Sequence, residues 1–156
     1  MKILAIDPGT HCGYALSPAE SGVWNLSARR HEDGGMRFVR LRNYLIKVCE
    51  GVDLVVYEEV RGHKGTDAAQ IYGGIIAIIQ EHCELREIPY QGVPVGTIKK
   101  FATGKGNSKK EVMLAAAREK WPMYDIVDDN QADALLLWAW AKEEYDTKEG
   151  LKSVQP

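Results

Sequence analysis

Carboxylates stand at three places in this chain where a folded domain gains no stability from them. Asp7 ends the apolar run that starts at Lys2, Glu58 and Glu59 end a second run, Asp53–Tyr57, and Asp128, Asp129 and Asp133 lie at the start of the last helical segment. An acid directly after an apolar strand sits at the carboxyl end of that strand, half out of water, where an unpaired charge is costly. Asp129 and Asp133 are four residues apart, so both face one side of a helix. Several carboxylates drawn together repel, and hard divalent cations relieve that repulsion. The chemistry such a set suits is phosphoryl transfer with two metal ions about 3.5–4 Å apart.

The elements that must position these acids can be read from the apolar pattern. Short strand patterns at Gly13–Leu16 and Gly22–Leu26 follow Asp7, separated by Ser17–Ser21, as in an antiparallel meander. From Gly35 to Cys49 the spacing becomes helical, with arginines on the polar positions. The stretch from Thr66 to about Cys83 is helical and so rich in isoleucine that it must be buried on more than one side or lie at a subunit contact. Ile88–Val93 reads as an edge strand, because Pro89 lacks an amide hydrogen. Helices are then expected at Val95–Ala102, at Lys109–Trp121 with Ser108 as cap and Pro122 as stop, and from Asp129 to about Tyr145. The polar segment 147–156 is expected to be a mobile tail to a domain spanning 1–146. A mixed sheet with helices on its faces accommodates this order.

Between Thr97 and Lys120 the chain gathers Lys99, Lys100, Lys105, Lys109, Lys110, Arg118 and Lys120 around a Gly-Lys-Gly turn, a pattern suited to phosphate. A second basic group, Arg29 to Arg42, reads as a solubilising helix face. Trp138 and Trp140 point to core packing. With 156 residues, 45% of them hydrophobic and 27% charged, the chain is long enough for one real core and is neither disordered nor fibrous. Its 20 Lys+Arg and 22 Asp+Glu leave a net charge of −2, so any nucleic-acid partner must be met by local patches. No apolar run is long enough for a membrane span, and a cytoplasmic location is expected. Cys12, Cys49 and Cys83 form no pair at metal-ligand spacing and read as buried thiols.

Four motifs in order resemble those of RuvC-type Holliday junction resolvases, in the ribonuclease H-like superfamily. They are Ile6-Asp7-Pro8-Gly9-Thr10 with Gly13-Tyr14; Val56-Tyr57-Glu58-Glu59-Val60; Gly104-Lys105-Gly106-Asn107-Ser108-Lys109-Lys110; and Asp129-Asn130-Gln131-Ala132-Asp133. The resemblance spans roughly residues 1–145. It implies an α/β fold with a mixed five-stranded sheet flanked by helices. It also implies a metal-dependent endonuclease that resolves four-way and other branched DNA junctions by paired symmetric nicks, as a homodimer. The short chain suits a phage or viral member of such a family, in the host cytoplasm. Two Mg²⁺ per site, replaceable by Mn²⁺, would be held by Asp7, Glu58, Asp129 and Asp133. Lys110 would act in catalysis, and Arg61, His63, Lys99, Lys105, Lys109 and Lys110 would contact DNA.

Two positions depart from the family pattern. Its third ligand usually falls three residues before the last acid, where this chain has Asn130, whose carbonyl can bind a metal without contributing charge. Asp129 is preferred because four-residue spacing keeps it on the face of Asp133. Where the family often carries a wedge aromatic after the second acid, this chain has Arg61, with His63 nearby. Alternative readings are a junction-binding protein with weak catalysis and a ribonuclease H-like nuclease acting on RNA. An actin-like ATPase, suggested by Asp7-Pro8-Gly9-Thr10, needs a second domain for which this length leaves no room, so no nucleotide cofactor is expected.

Overall fold

The computed structural model describes the backbone of residues 1–152 and the side chains of residues 1–146. The strands are β1 (Ile3–Asp7), β2 (His11–Ala15), β3 (Ser21–Asn25), β4 (Leu54–Glu59) and β5 (Tyr90–Pro94). The helices are α1 (Met36–Val48), α2 (Thr66–Leu85), α3 (Val95–Thr103), α4 (Lys110–Lys120) and α5 (Asp129–Lys152). The strands form one sheet in the order β3-β2-β1-β4-β5. β1, β2 and β3 pair antiparallel as the expected meander, while β4 lies parallel to β1, and β5 parallel to β4 at the edge. This is the ribonuclease H-like α/β architecture that the motifs imply.

Strand alternation sorts the side chains into two cores. Ile3 and Ala5 of β1 and Leu54 and Val56 of β4 face a core shared with α3, α4 and α5. Leu4 and Ile6, with Val55 and Tyr57, face the opposite core, shared with α1 and α2. The alternation carries past the last apolar residue of each strand. Asp7 therefore continues the Ile3-Ala5 row and Glu58 the Leu54-Val56 row, both toward α5, while Glu59 points to the other face.

The helices mostly follow the expected spans, with differences that have local causes. α2 buries one stripe, Ile75, Ile79, His82 and Cys83, while its neighbouring isoleucines are half-buried beside the same core. Ser108 does not cap α4: Lys109 takes that position without a side-chain bond, and the Ser108 hydroxyl is instead 2.5 Å from that of Thr103. Gly104, left-handed at φ 79°, closes α3 by donating its amide to the Lys100 carbonyl. α5 continues beyond Tyr145 to Lys152, since no proline interrupts that stretch and Lys142 pairs with Asp146 at 2.7 Å one turn on. Of the expected tail, residues 153–156 lie outside the described residues.

Arg40 and Arg42 are paired with Glu32 and Glu81, which supports reading that second basic group as a structural face. Trp138 and Trp140 pack against the α5-side core, and the three cysteines are free and buried. Among the described residues, no helix is long and apolar enough to cross a membrane.

α5 lies directly against the sheet at Gly13. A Cβ built there would stand 2.0 Å from the backbone oxygen of Asn130 and 3.3 Å from Cβ of Ala134. Only glycine lets the first turn of α5 lie on β2, and Asp7 is the register partner of Gly13. Gly13→Ala should therefore force α5 off the sheet and cost about 1–3 kcal/mol in urea unfolding. Gly34→Ala, where a Cβ meets nothing within 4 Å, is the matched control and should change stability far less.

Candidate active site

The two central strands and the first turns of α5 bring four acids to one end of the sheet. Asp7 follows Ile6 in β1, and Pro8 turns the chain away at once. Glu58 lies one residue beyond Tyr57, the last β4 residue in register with β1. Asp128 is the N-terminal cap of α5: its Oδ1 accepts the Gln131 amide at 2.9 Å, and its carbonyl accepts that of Ala132. Gln131 reaches back to accept the Val127 amide at 2.9 Å and donates to Ser21 Oγ at 3.0 Å, tying the helix start to β3. With Asp128 committed to capping, Asp129 and Asp133 are the acids of α5 left to face Asp7 and Glu58.

The electrostatics register this convergence. Burial first, then the charges of Glu58 and Asp133, hold the carboxyl of Asp7 well above the usual carboxylate range. Burial likewise raises Glu58, opposed by Lys99 and Lys110. Asp133 is pushed up to about 7, by burial and then by Glu58 and Asp129. Its Oδ1 is buried and finds no hydrogen-bond partner among the described residues. Asp129 differs, because Lys110 Nζ donates to its Oδ2 at 2.8 Å and lowers it below its ordinary value. The same contact raises Lys110.

The lysines therefore divide. Lys99, half-buried on α3, and Lys110, 77% exposed at its side chain on α4, both act on the acids. Lys105 and Lys109 are exposed on the turn between α3 and α4, and the structure shows neither in contact with an acid. Arg61 extends into solvent with 84% of its side chain exposed, 3.5 Å from Glu59. The ring of His63 leans on Tyr72 with centroids 4.6 Å apart. Asn130 donates its amide to Asp128 at 3.3 Å, so it is turned toward the cap, whereas Asp129 faces Lys110.

Among the described residues, no group of three or more His, Cys, Asp or Glu side chains is arranged to hold a metal ion as it stands. Mutual repulsion keeps carboxylates apart, and Lys110 engages one oxygen of Asp129. The donor chemistry nevertheless fits a hard divalent cation. Every candidate ligand offers oxygen, and the unpartnered Asp133 Oδ1 is a buried acceptor that a cation would satisfy.

Titration of Asp133 has a measurable consequence for stability. The unfolded chain releases this proton near pH 4, roughly the ordinary value, and the folded chain near 7. The native state thus binds the extra proton between those values, so stability of the metal-free protein falls as pH rises through that window. The contribution is on the order of 4 kcal/mol, and Asp7 acts in the same direction. Roughly 3 kcal/mol of it is lost between pH 5 and pH 8, so the urea midpoint should be higher at pH 5, and Asp133→Asn should shrink the difference. An unchanged difference in that variant would contradict the assignment.

No family model and no curated protein matches the chain. Solved structures do. Thermus thermophilus RuvC aligns with a TM-score of 0.71 at 19% identity, covering 88% of this chain and 90% of that one. The same protein in complex with a Holliday junction substrate aligns with a TM-score of 0.71 at 20% identity over the same shares. The yeast mitochondrial Holliday junction resolvase Ydc2 aligns with a TM-score of 0.53 at 15% identity, covering 94% of this chain and 82% of that one. At these identities the likeness is one of fold: the chain has the ribonuclease H-like fold in the form found in RuvC and Ydc2.

Proposed function

We propose that the protein is a divalent-metal-dependent endonuclease that cuts branched DNA, four-way junctions foremost, as a homodimer. The observation that carries this reading is the convergence of Asp7, Glu58, Asp129 and Asp133 with Lys99 and Lys110 at one end of a ribonuclease H-like sheet. The aligned structures support the choice of substrate class, since one of them holds a Holliday junction and another is a junction resolvase.

Asp7, Glu58, Asp129 and Asp133 would hold two Mg²⁺, or Mn²⁺ in their place. Bound there, the ions would supply Lewis acidity to the phosphodiester and to an attacking water. Asn130 is the weaker candidate for the third ligand, because its amide serves Asp128. Lys110 would exchange Asp129 for a phosphate oxygen, offsetting the charge that builds on the phosphate during displacement. Lys99 would add positive charge from α3. Lys105, exposed on the Gly-Lys-Gly turn, and Lys109, exposed at the cap of α4, would hold flanking phosphates, and Arg61 and His63 would meet the strand beyond Glu58. In a two-fold dimer, two such sites would nick opposed strands symmetrically.

A synthetic four-way junction incubated with the protein and Mg²⁺ or Mn²⁺ tests the reading directly. Asp7→Asn should reduce cleavage to background and leave junction affinity intact. Cleavage by that variant at the wild-type rate would sink the assignment, while binding without cleavage by the wild type would favour a junction-binding protein. An RNA-containing hybrid cut in preference to the junction would move the substrate to RNA.

The third ligand is settled by a pair of variants. Asp129→Asn should lower turnover far more than Asn130→Ala, and Lys110→Ala should lower it about 10²-fold. The reverse order for the first two would make Asn130 the ligand.

A further inference from the structure

Beyond Tyr57, β4 outruns β1, one of the two strands that hold it. Its pairing with β1 ends at Ile6 and Tyr57, while on the other side β5 stays in register as far as Glu59 and Pro94. The segment that carries Glu58 into the acid cluster thus lacks ladder bonds on its β1 side. One side chain from outside the sheet takes their place. The amide of Val60 donates to the Tyr72 hydroxyl oxygen at 3.0 Å, and that hydroxyl donates to the carbonyl of Glu58 at 3.0 Å. A single phenol oxygen, as both acceptor and donor, therefore spans the two peptide units on either side of Glu59. Tyr72 is fixed by its place on α2, and the ring of His63 rests against it.

From this geometry we infer that Tyr72 is a positioning residue for Glu58, setting the backbone from which that carboxylate reaches the cations; this rests on the metal-site reading above. The hydroxyl does not touch the acid's side chain and takes no part in chemistry. Its effect on stability is small, because a cavity of about 240 Å³ lined by Pro8, Thr10, Val60 and Tyr72, among others, can admit water beside the bridge once the hydroxyl is gone. Water satisfies the groups but does not fix their separation. Removing the hydroxyl thus loosens Glu58 without unfolding the strand.

Tyr72→Phe keeps the ring and deletes only this bridge. In the full-length metal-free protein, hydrogen exchange at the Val60 amide should accelerate in the variant. Calorimetric Mn²⁺ affinity should weaken about 10- to 100-fold, the range for loss of a group that orients a ligand. On a four-way junction at saturation, turnover should fall while junction affinity and thermal midpoint stay near wild type. Tyr57→Phe is the control, since its hydroxyl accepts from Gln80 at 3.0 Å on the opposite face of the sheet and should leave Mn²⁺ affinity unchanged. Wild-type Mn²⁺ affinity or unaltered Val60 exchange in Tyr72→Phe would overturn the inference alone. Mn²⁺ binding that weakens as expected in a protein that cuts no junction would leave the inference standing and remove the nuclease reading, and a wild type that takes up no Mn²⁺ would overturn both.

Discussion

Packing α5 onto β1 and β2 holds Asp133 against Asp7 and Glu58 in spite of the repulsion among them. Nothing in the carboxylates favours that arrangement, because each loses water and gains a like-charged neighbour. The apolar rows beneath, Ile3 and Ala5 on β1 and Ala132, Leu135 and Leu136 on α5, supply the burial that offsets it. Gly13 sets how close the helix can come. The raised titration of Asp7 and Asp133 measures the tension left over, and it is the tension a hard cation would relieve.

Cationic side chains are arranged around this strain in a graded way. Lys99 is half-buried and acts on Glu58 and Asp133, whereas Lys110 reaches in from an exposed position to one oxygen of Asp129. A mostly exposed ammonium on a flexible stem can change partners at low cost, since such ion pairs are worth little in water. Lys105 and Lys109 stay on the outer turn. The result is a gradient of positive charge running outward from the acids, on a protein whose net charge is slightly negative. That segregation suits a polyanion laid across the sheet end, and under the proposed function binding would weaken with salt.

Most of the architecture was legible because it follows from short-range patterns. The two apolar runs ending on acids are the paired central strands, and Asp129 and Asp133 share a helix face as their spacing requires. The misread features were those where a local preference met a competing partner. Ser108 is a good cap by type, but the hydroxyl of Thr103 takes it instead. The last helix was expected to stop near Tyr145 on polarity alone, yet polar residues free of proline extend a helix as readily as they end one. The division between Asp128 and Asp129 also escaped the pattern, because capping and site acids look alike until Gln131 is seen bonded to the first.

By itself the sequence determined which residue types lie at strand ends and helix starts, and hence that acids and lysines would be present in the right order. Strand alternation, a property of the backbone, then dictated that Glu58 rather than Glu59 shares the face of Asp7. Tertiary structure alone decided which lysine meets an acid, which aspartate caps and which faces the site, and that a tyrosine fourteen residues along the chain bridges the backbone at Glu58. Those outcomes depend on distances between elements far apart in the chain, and such distances are set by how side chains of definite volume fill the space between a helix and a sheet.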